Sequence, residues 1–402
     1  MFNWTSTQRN VAVACFLSWM LDAFDFFILV FLLSDLANYF NLSVTDVSLS
    51  LVLTLAVRPI GALLFGRLAE KFGRRPMLMI NILLFAVFEL LSAWSPSFSI
   101  FLVFRIIYGI AMGGIWGIAS SLTMETIPDR SRGLMSGIFQ AGYPGGYLLA
   151  SIIYGVFYNY VGWRGMFIIG ALPVFLLPFI YFKVPESPVW LASKVRKESH
   201  SLLAVIRANI GLCVFMVALM ACFNFFSHGT QDLYPTFLKV QHQFDAHTVS
   251  VIAIVYNIAA MLGGICFGLL SERFGRKRAI MLATILALPV IPLWAFASGS
   301  VLIGIGAFLM QFMVQGAWGV IPGWLTELVP ASARAVLPGF VYQLGNLIAS
   351  VNAPLQAHIA ANHGGNYGLA MAIVAGVVAI CIFLLTACGR ETQGIKLSSA
   401  DN

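Results

Sequence analysis

Along the chain, long apolar runs alternate with short polar segments. The runs fall near residues 10–37, 47–68, 76–95, 99–124, 134–158, 163–184, 208–238, 248–270, 279–298, 300–325, 335–357 and 366–388. Each is long enough to cross the roughly 30 Å hydrocarbon core of a bilayer as an α-helix. They are continuous rather than alternating with period two, which excludes a membrane β-barrel. The pattern therefore predicts an all-α polytopic membrane protein with twelve transmembrane helices. The one long polar interruption, from Pro185 to about Arg207, is too short for a soluble domain. It predicts a linker over 186–207 between an N-terminal six-helix bundle, 1–185, and a C-terminal six-helix bundle, 208–402.

Composition agrees. Of 402 residues, 60% are hydrophobic and 10% are charged, whereas a soluble domain carries roughly a quarter charged residues. The net charge of +7 raises nucleic acid as a partner until the positions of the basic residues are read. They cluster between apolar runs: Arg67, Lys71, Arg74 and Arg75; Arg130 and Arg132; Lys194, Arg196 and Lys197; Arg273, Arg276, Lys277 and Arg278. Every second loop is basic. The positive-inside rule makes these loops cytoplasmic, with both termini on that side of a plasma membrane, or of the inner membrane in a bacterium. The charge then belongs to topology, and no nucleic acid partner is expected. Met1 to Asn10 is too polar for a signal peptide. The six cysteines lie in or at the ends of apolar segments, which suits small core residues rather than disulfides or metal ligands.

The two halves repeat. Gly66-Arg-Leu-Ala-Glu70-Lys71-Phe-Gly73-Arg74-Arg75 aligns with Gly268-Leu-Leu-Ser-Glu272-Arg273-Phe-Gly275-Arg276-Lys277 at an offset of 202, which also carries Trp116 onto Trp318, Glu125 onto Glu327 and Arg132 onto Arg334. The loop string resembles the signature of the major facilitator superfamily, and its second copy strengthens the likeness. The resemblance covers essentially the whole chain. It implies two pseudo-symmetric bundles that rock about a midplane site in alternating access. In physical terms, Gly66, Gly73, Gly268 and Gly275 permit close helix approach and tight turns. Glu70, Arg74, Glu272 and Arg276 supply a charged latch, with Glu125 and Glu327 as gate residues at helix ends. Arg105-x-x-x-Gly109-x-x-x-Gly113 also resembles the family's fourth span, where a structural role is expected for the arginine.

Ionisable side chains inside a bilayer cost several kcal/mol and ask for a reason. The candidates are Asp22, Asp25, Arg58, Glu89, Arg105, Glu125, His228, Asp232 and Glu327. In the seventh span Asn224, Ser227, His228, Gln231 and Asp232 share one helical face, so this polar stripe faces protein or water. The string N-x-x-[ST]-H-x-x-Q-D is similar to that of the lactate/pyruvate:proton symporters within the sialate:proton symporter family. That resemblance implies substrate recognition and proton coupling at these five residues. Under the offset, Asp22 and Asp25 oppose Asn224 and Ser227, which predicts two polar stripes facing one cavity. Asp22, Asp25, His228 and Asp232 are the candidate proton carriers. Arg58 is the candidate anchor for an anion, since a guanidinium stays charged and grips a carboxylate bidentately; pairing with Asp22 or Asp25 is the competing role.

Tyr108, Gln140, Tyr143, Gln311, Gln315 and Trp318 have the chemistry to line a pocket, with Tyr342, Asn346 and Asn352 as further candidates. The expected function is proton-coupled symport of a small monocarboxylate, carried out by a monomer in the lipid bilayer with no cofactor or metal. The alternatives are a symporter of sialic acid or another organic acid, and a transporter-like receptor. No hydrolase or phosphate-binding motif stands at a credible position, so no catalytic residue is expected.

Overall fold

The computed structural model describes residues 4–42, 44–195 and 202–397, and every regular element among them is helical. The first half comprises α1 (Ser6–Phe31), α2 (Leu33–Phe40), α3 (Val44–Phe72), α4 (Arg74–Ala93), α5 (Phe98–Thr126), α6 (Arg132–Gln140), α7 (Gly142–Gly170) and α8 (Leu176–Lys183). Two short helices, α9 (Pro188–Val195) and α10 (Leu202–Ala208), occupy the expected linker. Its residues Arg196, Lys197, Glu198 and His200 lie outside the described residues. The second half comprises α11 (Ile210–Gln231), α12 (Tyr234–Thr236), α13 (Ala246–Phe274), α14 (Arg276–Ala287), α15 (Ile291–Ala295), α16 (Ser300–Leu328), α17 (Leu337–Ala349), α18 (Asn352–Asn362) and α19 (Tyr367–Cys388).

Nine stretches among the described residues are long and apolar enough to cross a bilayer unbroken, and two interrupted regions hold the other three expected crossings. In α7 the backbone leaves the helical region at Gly162 (φ 62°, ψ −173°), a conformation open to glycine and strained for other residues. Before it the chain climbs beside α1, with Tyr143 against Trp19 and Tyr158 bonded to Asp35. After it the chain descends, past Phe101 at Phe167 and Asp25 at Gly170, until the Lys183 carbonyl accepts from Asn10. One apparent helix is thus two crossings. In the second half, the eleventh crossing is broken at Ser350 and Val351, between α17 and α18.

The halves meet closely at the end of the bundle that bears the basic loops, where α6 packs on α13 and α16, and α17 packs on α3 and α5. Small residues allow it. A methyl group added to Gly137 would lie 2.2 Å from the Gly264 carbonyl oxygen, and one on Gly66 would lie 2.9 Å from Val336 Cα. Gly133 and Gly268 repeat the same contact, as do Gly117 and Gly339. The positive φ of Gly73 (110°) and Gly275 (97°) turns each basic loop into the next helix.

Candidate functional site

Between the halves lies a narrow cavity of about 40 Å³. On that measure one water needs about 10–15 Å³, so it holds a few waters or a small solute. The first half contributes Asp22, Phe26, Leu55, Arg58, Gln140 and Tyr143; the second contributes Asn224, Ser227, His228, Gln315, Trp318, Tyr342 and Asn346. The expected convergence of the two polar stripes is observed for Asp22 with Asn224, Ser227 and His228. Of the further residues with the chemistry to line a pocket, Gln140, Tyr143, Gln315 and Trp318 also line it.

Arg58 is buried and donates from Nη2 to Asp22 Oδ2 at 2.7 Å. Among the described residues, Arg58 Nε and Asp22 Oδ1 have no hydrogen-bond partner. Unused donor and acceptor capacity at a buried ion pair is costly unless a ligand or water fills it. Across the cavity, the His228 ring bridges two oxygens: Nδ1 is 3.1 Å from Asp232 Oδ1, and Nε2 is 2.8 Å from Asn346 Oδ1. A cationic imidazole donates to both; a neutral one donates to only one, and keeps the other bond only with the Asn346 amide turned over or the Asp232 carboxyl protonated. Gln315 Nε2 donates to Ser227 Oγ at 3.2 Å, and its own Oε1 has no partner among the described residues.

Other expected site residues lie elsewhere. Gln231 does not line the cavity: its Nε2 donates to Gln311 Oε1 (2.8 Å), and Gln311 donates to Thr230 Oγ1 (2.9 Å), forming a seam between α11 and α16. Asp232 touches the cavity only through His228. Asp25 is fully buried off the cavity, near Gly170 and Glu89. Its separation from the cavity corrects the expectation that Asp22 and Asp25 face it together; three residues along a helix is about 60° of rotation, enough to turn Asp25 into the bundle. Tyr108 is likewise buried, with the Arg105 guanidinium 3.7 Å from its ring centre. Arg105 donates to Glu89 Oε2 at 2.5 Å.

An aromatic floor closes the cavity toward the basic face. The Tyr342 ring stacks on Trp116 (4.7 Å) and meets the edges of Trp318 (5.7 Å) and Trp19 (6.1 Å). Trp116 Nε1 donates to Gln140 Oε1 at 3.3 Å and Trp318 Nε1 to the Phe223 carbonyl at 3.2 Å, which fixes both indoles. Trp19 carried no signal in the sequence, since one aromatic in an apolar helix reads as packing.

Beneath the floor is a charged latch built twice. Arg74 pairs with Glu125 (3.3 Å), and Arg276 pairs with Glu327 (2.9 Å). Glu327 also takes Arg132 from the first half at 3.0 Å, and Glu272 Oε1 accepts from the Leu134 backbone N–H at 2.9 Å. Both bonds tie one half to the other. Glu70 instead pairs locally with Arg67 at 3.5 Å. Two residues missed in the sequence complete the design. The Glu186 carboxylate accepts from the N–H groups of Arg74 and Arg75 at the start of α4, and Glu391 does the same for Arg276 and Lys277 at the start of α14. Their neighbours Ser187 and Thr392 bond Glu125 and Glu327 at 2.5 and 2.6 Å. Burial pushes the Glu186 carboxyl above its ordinary value, against the pull of the Ser187, Arg74 and Arg75 N–H groups. A Glu-Ser and a Glu-Thr closing the two halves were the available signal, outside the 202 register.

Two helical halves, a polar cavity between them and a latch at one face define a multi-pass membrane transporter. A family model described as Major Facilitator Superfamily matches residues 15–245 and 215–398, and the chain belongs to that superfamily. It is 31% identical over 423 residues to a carboxylic acid transporter protein homolog of Saccharomyces cerevisiae, covering 96% of this chain and 68% of that one. It is 29% identical over 401 residues to the sialic acid transporter NanX of Escherichia coli, covering 98% and 97%. Among solved structures it superposes on the proton:xylose symporter XylE with a TM-score of 0.82, at 20% identity and covering 98% of each chain; that likeness carries the fold.

Proposed function

We propose that the protein carries a small monocarboxylate of the lactate or pyruvate type across the membrane together with a proton. The supporting observation is the buried Arg58–Asp22 pair at the cavity wall, with guanidinium and carboxylate valences left over. An incoming carboxylate takes the guanidinium. Asp22 then loses its counter-charge and is neutralised by a proton, so one anion and one proton add no net charge to the site. Asn224, Ser227 and His228 offer donors and acceptors to the hydroxyl or keto oxygen, and the His228–Asp232 pair supplies a second titratable unit beside Asp22 and Asp25. The narrowness of the cavity suits a three-carbon acid. If the basic loops are cytoplasmic, the closed latch makes this the outward-facing state. Residues 1–185 and 208–402 are then the rocking units, joined by 186–207, within a plasma-membrane monomer.

The relatives that transport carboxylic acids and sialic acid support an organic-acid substrate, and the near-complete coverage of NanX favours sialic acid as the second reading. Uptake of labelled lactate into proteoliposomes under an inward proton gradient separates them. The monocarboxylate reading expects accumulation that pyruvate competes away and excess sialic acid does not. Sialic acid as the effective competitor would overturn it in favour of the second reading. Lactate binding with no accumulation would point to a receptor.

A further inference from the structure

Behind the cavity, buried in the first half, sits a charge cluster that substrate binding leaves unused. Glu89 of α4 and Arg105 of α5 are fully buried and bonded at 2.5 Å, and Asp25 of α1 is fully buried beside them. Both Asp25 oxygens and Glu89 Oε1 lack hydrogen-bond partners among the described residues. Gly170 of α7 separates the two acids: a methyl group at that glycine would lie 3.0 Å from Glu89 Oε1 and 3.2 Å from Asp25 Oδ1. The two oxygens are therefore no more than about 6 Å apart, the span of one bridging water. The charged or titratable groups facing this pair are Asp22 on α1 and Arg105 and Tyr108 on α5; Gly170 brings none from α7.

Asp22 and Arg58 neutralise each other, and Arg105 neutralises one acid of the remaining two. The odd carboxylate has no cation of its own and no hydrogen-bond partner among the described residues, and a buried carboxylate without its own counter-charge is so costly that it takes up a proton instead.

We propose that Asp25 and Glu89 form a shared proton site, with Arg105 as its fixed counter-charge, and that this site relays the transported proton to Asp22 one helical turn away. It rests on the proposed symport for its role in transport, while its occupancy does not depend on it. The balance is simple: the pair holds one proton in the substrate-free protein. When a substrate carboxylate takes Arg58, that proton moves to Asp22, and a second proton from solution refills the pair. One anion and one proton have entered, and the buried cluster stays neutral.

Infrared difference spectroscopy of the full-length protein in lipid, without substrate, reads the proton as a protonated-carboxyl band. The band is expected in the wild type and absent in both Glu89→Gln and Asp25→Asn, because either change leaves Arg105 with one carboxylate to match it. A band that survives both single changes overturns the shared site, whatever the substrate proves to be. For the relay, Glu89→Gln is expected to keep lactate counterflow within twofold of wild type while losing at least tenfold in gradient-driven accumulation, and Glu89→Asp is expected to restore part of it. Full gradient-driven accumulation by Glu89→Gln overturns the relay. Should Glu89→Gln fail to fold, Asp25→Asn carries both tests.

Discussion

At the scale of single residues, the cavity depends on one buried cation. Removing Arg58 outright leaves Asp22 buried without a partner, a change that costs about 3–5 kcal/mol in comparable pairs, so loss of transport in Arg58→Ala would not separate folding from binding. Arg58→Lys keeps the charge and gives up the planar fork. It is expected to stay folded by thermal unfolding in detergent and to raise the apparent KM for lactate at least tenfold. An unchanged KM would leave Arg58 a structural partner of Asp22. The stripe in α11 shows how far residue patterns carry. Asn224, Ser227 and His228 reach the cavity because positions three and four apart share a helix face, as the sequence indicated. Gln231 is one turn further on and finds Gln311 at 2.8 Å instead. That choice belongs to the neighbouring helix and has no trace in the spacing. Asp25 is the same lesson: its neighbour Glu89 is distant in sequence and lies across Gly170.

At the scale of elements, the closure of the basic face rests on glycines where α6 meets α13 and where α5 and α3 meet α17. The close approach of Gly137 to Gly264 leaves no room for a side chain, and α7 and α13 continue past the cavity as stiff levers. Gly137→Leu should therefore pry the halves apart at the basic face and bring them together at the opposite face. Spin-label distances between the two halves, measured at both faces, check this: the basic-face distance should lengthen by several ångströms and the opposite one shorten. Unchanged distances at both faces would contradict a rocking pair. The helices themselves were legible as apolar runs, because a bilayer imposes length and hydropathy on every crossing. Their interruptions were less so. Gly162 turns one apparent helix into two crossings through its backbone conformation alone, and the break at Ser350 and Val351 is marked only by Pro354 in the first turn of α18, which cannot bond back to the Ser350 carbonyl.

At the scale of the whole molecule, the internal repeat was the most informative sequence feature. It paired Trp116 with Trp318 and Glu125 with Glu327, and the structure places those pairs at the cavity floor and in the latch. The repeat also hid an asymmetry. Glu327 holds arginines from both halves, whereas Glu125 holds Arg74 and Ser187 from its own. The latch is thus a cross-half tie on one side only, a property of assembly that matching positions cannot reveal. The capping acids Glu186 and Glu391 escaped notice because each lies beyond the last helix of its half, where apolar patterning stops and its partner N–H groups are more than a hundred residues away.

The central claim is that a carboxylate and a proton move together through this cavity. It is tested most directly by lactate-dependent proton influx into proteoliposomes holding the full-length protein, followed with an internal pH dye. Wild-type vesicles should acidify on addition of lactate, at one proton per lactate, and vesicles carrying His228→Ala with Asp232→Asn should not. Absence of acidification with lactate, pyruvate or any other monocarboxylate, from protein that still binds its ligand, would contradict the account.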